Sequence, residues 1–193
     1  MNEPNDEQYN QLTERLKASD REAFDQLFRS LYAPLVRFSF RYTRQKSTAA
    51  DIIQDAFIKL WHHRESIDAE QSIKAYLYKI VRNLSLNHIR DRSFEQNGLD
   101  AADMPADQLT DEDQETDLRT ERLELLKKWI MELPERQSEA FRLSRFEGLD
   151  HEEIADVMNV SSRTVNNHIV QAMKNIHRLH EQYLTETRHI GYG

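Results

Sequence analysis

The stretch Asp150–His180, DHEEIADVMNVSSRTVNNHIVQAMKNIHRLH, constrains the fold of this chain more than any other. It reads as two helices joined by a tight turn. Asp150 with Glu153 three residues on matches a capping box at the start of the first helix. Ile154, Ala155, Val157 and Met158 give that helix an apolar face. Asn159 stands where the chain must turn, and Asn tolerates the left-handed conformation better than most residues. Ser161 is placed to cap a second helix, with Val165, Ile169, Ala172, Met173 and Ile176 on its inner face. Two helices that cross closely need a small residue at the contact, a permissive turn and an apolar anchor. Ala155, Asn159 and Val165 have that spacing, which is that of a helix-turn-helix. From Ser161 to His180 there is no acid, while Arg163, Lys174 and Arg178 are basic. Such a helix suits a DNA major groove; the plainer alternative is a solvated helix pair in an all-α protein.

The rest of the chain supports an all-α class. Only four Gly and four Pro occur in 193 residues, 31% of residues are charged, and no long run alternates apolar and polar side chains. The absence of Cys excludes disulfides and cysteine zinc sites and fits a reducing cytoplasm. The start, MNEPNDEQYNQLTERLK, is too polar for a signal peptide. No apolar run approaches the roughly 20 residues that span a bilayer. The expectation is a cytoplasmic protein without membrane insertion.

A net charge of −8 looks wrong for a DNA binder until its distribution is examined. Nine acids and no Lys or Arg lie between Phe94 and Asp117, leaving the remainder of the chain at +1. Local charge decides what each surface binds. The segment 94–116, with Gly, Pro, acids and few large apolar residues, reads as a flexible acidic linker. It separates a helical domain over 1–93 from a second over 117–185, with a tail at 186–193 expected to fray.

Four helices are expected in the first domain: about Asp6–Ala18; one from Asp20 carrying Phe24, Leu27, Phe28, Leu31, Leu35 and Phe38; one from Ser47 or Thr48; and one over about Ser72–Arg92. Pro34 lies within the second and should kink it. The third should bury Ile52, Ile53, Ala56, Phe57 and Leu60, and the fourth Ile73, Leu77, Ile80, Val81 and Leu84. The second domain adds helices at about Leu118–Glu132 and Glu135–Glu147, with Pro134 at the break between them.

Two of these helices carry further surfaces. From Gln71 to Arg92 the local charge is +4, with Lys74, Lys79, Arg82, Arg90 and Arg92 interleaved with Tyr76, Tyr78, Asn83, Asn87 and His88. Cations hold phosphates, rings stack on unpaired bases and amides read base edges, a mixture suited to melted DNA. The same residues also fit a basic amphipathic helix with core-packed tyrosines, and Tyr76 in particular fits either. On the third helix, Asp51, Gln54, Asp55, Ile58, Lys59 and His62 lie opposite the apolar stripe, with Trp61 at its edge. An exposed apolar residue and a Trp among charges can dock a partner helix, unless this is an ordinary solvated face.

Three further segments complete an ordered set with the helix-turn-helix. They are ADIIQDAFIKLW at Ala50–Trp61, IKAYLYKIVRNL at Ile73–Leu84, and LPERQ at Leu133–Gln137. In this order they closely resemble a bacterial extracytoplasmic-function sigma factor of the sigma-70 class, over about residues 20–182. The resemblance implies that the first domain is sigma region 2. There Asp51, Gln54, Asp55, Ile58 and Trp61 would grip the coiled coil of the RNA polymerase β′ clamp. The segment from Glu65 to Gln71 would recognise the −10 element and hold it open together with Tyr76, Lys79, Arg82, Asn83 and Asn87. It implies that the second domain is region 4, reading the −35 element through Arg163, Thr164, Asn166, Asn167, Gln171 and Lys174 and meeting the β flap. The acidic linker would thread toward the polymerase active-site cleft. An anti-sigma factor is the further expected partner, besides core RNA polymerase and promoter DNA. Many relatives place a cation, then Ser, then Arg after the Thr-Val pair, where this chain has Asn166, Asn167 and His168. That shifts readout toward amide contacts, for which adenine is the natural bidentate partner.

The rival reading is a transcription regulator with a related helix-turn-helix and an N-terminal sensor domain. An enzyme is disfavoured, since there is no Gly-rich phosphate loop and no cofactor, catalytic or metal motif. Adjacent His62 and His63 face different sides of a helix. His177 and His180, three apart, would share a metal only with further ligands, and they read as solvated histidines rather than a metal site.

Overall fold

The computed structural model describes residues 4–68, 71–95 and 118–190. Every regular element among them is helical. They are α1 (Asp6–Lys17), α2 (Arg21–Thr43), α3 (Lys46–His63), a 3-10 turn at Arg64–Ser66, α4 (Ile73–Glu95), α5 (Leu118–Met131), α6 (Glu135–Arg145), α7 (His151–Met158) and α8 (Ser162–Ile190). The chain divides into two compact units, one built from α1–α4 and the other from α5–α8. The expected linker falls almost entirely on residues 96–117, outside the described residues.

In the first unit α2 is the hub, packing on α1, α3 and α4. Its Leu27, Leu31 and Leu35 are fully buried and Phe38 nearly so, the i, i+4, i+8 stripe expected of a helix facing a core. Each such side chain contributes about 1.5–3 kcal/mol of burial. Phe57 of α3 meets Phe24 at 5.8 Å and Phe28 at 4.9 Å, both edge-on. Phe38 meets Tyr78 of α4 at 5.0 Å. A buried Ser39–Ser85 hydroxyl pair at 2.9 Å joins α2 to α4 beside it. All five residues expected inside from α3 are buried. On α4, Ile73, Leu77 and Val81 are buried, whereas Ile80 and Leu84 are only half-buried.

The helix ends follow capping chemistry. The Asp20 carboxylate accepts the Glu22 and Ala23 amides at 2.8 and 3.3 Å to start α2, and the Arg15 guanidinium at 2.8 Å. Helix α2 is assigned without interruption through Pro34. It stops at Arg44, which is left-handed with φ 56°. Helix α3 begins at Lys46, earlier than the Ser or Thr expected to cap it. The left-handed Arg44 reverses the chain so sharply that only Arg44 and Gln45 separate α2 from α3. Gln45 is the N-cap without a side-chain cap bond, and Thr43 Oγ1 ties the corner by donating to the Gln45 carbonyl at 3.2 Å.

In the second unit Ile130, Leu133, Phe141 and Ala172 form a core cluster, with Leu126 and Ile176 packed against it. Gly148, at φ 69°, turns the chain between α6 and α7. The Asp150–Glu153 capping box is present in full, with bonds of 2.8 to 2.9 Å. Asn159 closes α7 in the left-handed conformation, φ 55°, donating to the Ala155 carbonyl. Ser161 Oγ accepts the Thr164 amide at 3.2 Å and so caps α8. Met173 does not belong to the inner stripe. It is 49% exposed, because position 173 lies about 70° around the helix from the centre of the stripe at 165, 169, 172 and 176. Helix α8 also runs past the expected end at His180 to Ile190, since no Gly or Pro interrupts it before Gly191.

Replacing Asp150 with Ala should cost about 1 kcal/mol of local stability. Amide hydrogen exchange along α7 should then quicken by roughly fivefold with little change in α1–α4. The Arg15 hydrogen bond, opposed by desolvation and helped by the Ala23 and Glu22 amides, holds the Asp20 carboxyl below its ordinary value. A depressed folded value means the contribution is complete above the unfolded value of about 3.9 and is lost as pH falls through the folded one. Asp20→Asn should therefore flatten the acid limb of the α1–α4 stability profile, measured by urea denaturation followed at Trp61.

Candidate nucleic-acid interface

Three exposed faces result from this packing, one on each of α3, α4 and α8. On α8, Val165 and Ala172 are fully buried and Ile169 is 6% exposed. Arg163, Asn166, Asn167, Val170, Gln171 and Lys174 are all exposed. These six positions are spaced 3, 1, 3, 1 and 3 apart, which keeps them on one continuous stripe opposite the core. Thr164 is half-buried and shares a 2.8 Å hydrogen bond with the capping Ser161, so its hydroxyl serves the helix start. Val170 was not singled out from the sequence. It is 40% exposed and sits between Asn167 and Gln171, and its spacing of three from Asn167 was the available signal.

On α4 the expected set separates. Asn83 and Asn87 are exposed and Lys79 is half-exposed, at i, i+4 and i+8 along one side. Tyr76, one turn earlier, is half-buried, and burial raises its phenol pKa above the ordinary value. Arg82 does not join this side: it is only 5% exposed. Tyr78 is fully buried against Phe38 rather than free to stack. Positions 78, 81, 82 and 85 form the inward side of α4, and that phase is dictated by α2 and α3. Before α4, a small pocket of about 240 Å³ is lined by His63, Ser66, Ile67, Asp68, Gln71 and Tyr76.

On α3, Asp51, Gln54, Asp55, Lys59 and His62 are exposed, and Ile58 is 54% exposed. Trp61 is half-buried. Its ring meets Phe24 edge-on at 5.3 Å, and the Arg64 guanidinium lies 4.6 Å from its centroid. Arg64 also donates to the Trp61 carbonyl and to Ser19 Oγ, both at 2.8 Å. This residue, absent from the sequence expectations, pins the end of α3 to the α1–α2 corner and fixes the tryptophan. Only a fold that brings Ser19 and Trp61 together reveals it.

A helix-turn-helix with an amide-rich outer stripe, in a chain whose other unit carries a basic, polar helix face, defines a DNA-binding transcription protein. The comparisons with known proteins narrow the class. The family description "Sigma-70 region 2" matches residues 27–95, and "Sigma-70, region 4" matches residues 123–176. The chain is 28% identical over 188 residues to the RNA polymerase sigma-H factor of Pseudomonas aeruginosa, covering 93% of this chain and 97% of that protein. It is 28% identical over 173 residues to the ECF RNA polymerase sigma-E factor of Haemophilus influenzae, covering 86% and 91%. The chain belongs to the extracytoplasmic-function group of the sigma-70 class. Its fold resembles RpoE of Bartonella quintana, solved with the anti-sigma factor NepR, at a TM-score of 0.66, 23% identity and coverage of 82% and 96%. It also resembles CnrH, solved with the cytosolic domain of CnrY, at 0.62, 20% identity and coverage of 90% and 97%. No described helix is long and apolar enough to cross a membrane.

The separation of the α4 residues is itself testable. Tyr78→Ala should remove about 3–5 kcal/mol of stability by opening a core cavity. Asn83→Ala, on the exposed side, should change stability by no more than about 0.5 kcal/mol. Thermal denaturation of the two variants measures the difference.

Proposed function

We propose that this protein binds core RNA polymerase and directs it to promoters whose −35 element it reads through α8 and whose −10 element it opens through α4. The observation that carries this reading is the uninterrupted exposed stripe from Arg163 to Lys174, acid-free and opposite a buried one. Arg163 stands in the first turn, where the helix N-terminus favours a phosphate or a base edge. Asn167 and Gln171, four apart, each suit bidentate contact with adenine, and Val170 between them suits a thymine methyl. Lys174 at the end of the stripe suits a phosphate. The amide composition favours an A·T-rich −35 half-site over one dominated by guanine.

In the first unit, Lys79, Asn83 and Asn87 form the face offered to the opened −10 strand, with Tyr76 at its margin. Arg82 supports that helix from within rather than touching DNA. Asp51, Gln54, Asp55 and Ile58 form the face offered to the β′ clamp coiled coil, and Trp61, held by Arg64, buttresses it. The second unit meets the β flap. The protein works in the cytoplasm as a specificity subunit, without hydrolysing ATP, and is held in check by an anti-sigma factor, as RpoE is bound by NepR.

Run-off transcription with core polymerase over a genomic promoter library tests the whole reading; absence of core binding in size-exclusion chromatography would refute it. Asp55→Arg should weaken core binding by at least about tenfold while circular dichroism stays unchanged, because the residue is exposed and its loss opens no cavity. Asn167→Ala and Gln171→Ala should each cost about 1–3 kcal/mol at one base pair and relax the selected −35 sequence there. Lys174→Ala should instead weaken all sequences alike and lower the salt dependence, measured by binding-site selection with the reconstituted holoenzyme.

A further inference from the structure

Beyond residue 176, where the match to region 4 ends, α8 continues and carries His177, His180 and Glu181. We infer that these three side chains form a binding site for a first-row divalent transition metal of the zinc and nickel type. Two imidazoles three residues apart hold an ion poorly without a third donor, and the structure supplies it. Glu181 is four residues from His177, so its carboxylate returns to the same face of the helix. One donor atom from each of the three lies within 4.8 Å of the others, and His180 Nδ1 is 4.0 Å from Glu181 Oε1. Metal–ligand bonds of about 2.0–2.2 Å in tetrahedral array need donors roughly 3.4 Å apart, so the side chains close by about 1 Å. All three are exposed, so rotation of their own χ angles accomplishes this without moving the backbone. The nearest cation along the helix, Arg178, is engaged by Gln182 Oε1 at 3.2 Å.

The donor set of two nitrogens and one oxygen, with positions left open to water, selects transition metals over magnesium or calcium. Because all three ligands come from one helical turn, the ion clamps that turn and strengthens the part of α8 that extends past the family match. The site also has a built-in reporter. The His180 ring lies edge-on to Trp129 of α5 at 5.6 Å, so an ion on His180 sits close enough to change the emission of that indole.

Calorimetric titration of the full chain with Zn²⁺, with Mg²⁺ in excess as competitor, is the test. One site is expected. Loss of outer-shell partners alone weakens metal sites by about 10–100-fold, so His177→Ala and His180→Ala should each weaken binding at least tenfold. Glu181→Gln, which keeps shape and loses charge, should weaken it as well. Ni²⁺ should quench Trp129 emission in the native chain and in a Trp61→Phe variant, but not in His180→Ala. Circular dichroism confirms that each exposed substitution leaves the helices intact. Equal Zn²⁺ binding by the native chain and the His177→Ala/His180→Ala double variant overturns the proposal. So does loss of binding only in a His62→Ala/His63→Ala variant, and so does the absence of any saturable binding.

Discussion

The apolar stripe of α2 packs against α3 and α4 at once, and that double contact sets the rotation of both partner helices. Leu27, Leu31, Leu35 and Phe38 occupy one side of α2 and are almost wholly buried. A helix has only about 360° of surface, so whatever faces α2 is lost to partners. On α3 this turns Ile53, Ala56, Phe57 and Leu60 inward and leaves Asp51, Gln54, Asp55 and Ile58 outside. On α4 it turns Tyr78, Val81, Arg82 and Ser85 inward and leaves Asn83 and Asn87 outside. The exposed polar faces of the first unit are thus the complement of its core, and a change in α2 packing would rotate both.

The second unit solves the same problem with a turn rather than a hub. The capping box at Asp150 fixes where α7 begins, and the left-handed Asn159 fixes where it ends. Ser161 then restarts the chain after two residues. With α7 only eight residues long, these local bonds decide much of its stability, since so short a helix is marginal by itself. The small Ala155 is buried at 8% exposure and Val165 fully, as the crossing requires. The exposed stripe on α8 follows from the burial of Val165, Ile169 and Ala172, just as the α4 face follows from its inward side.

Arrangement of charge complements this geometry. The overall −8 resides in the segment before α5, while α8 from Ser161 to His180 carries no acid. A polyanionic ligand therefore meets a locally cationic or neutral helix despite an acidic chain.

Much of this was determined by sequence alone. Helical periodicity located the eight α-helices among the described residues, and local chemistry placed the Asp20 cap, the Asp150–Glu153 box and the Asn159 turn, because these bonds join residues two to five apart. The order of four motifs carried the family. What periodicity could not decide was the phase of an amphipathic helix whose polar and aromatic residues fit either side. Arg82 read as DNA-facing and Tyr78 as fitting either the core or the DNA, yet both lie on the inward side of α4. Met173 read as core, yet it lies beyond the edge of the stripe that Val165, Ile169 and Ala172 bury and is 49% exposed. Lys46 starts α3 because α2 ends in a left-handed residue, and Arg64 fixes Trp61 because Ser19 lies nearby, 45 residues away in sequence. These features depend on contacts between distant segments. A one-dimensional pattern records which residues can be buried, but only the packed tertiary structure decides which of them are.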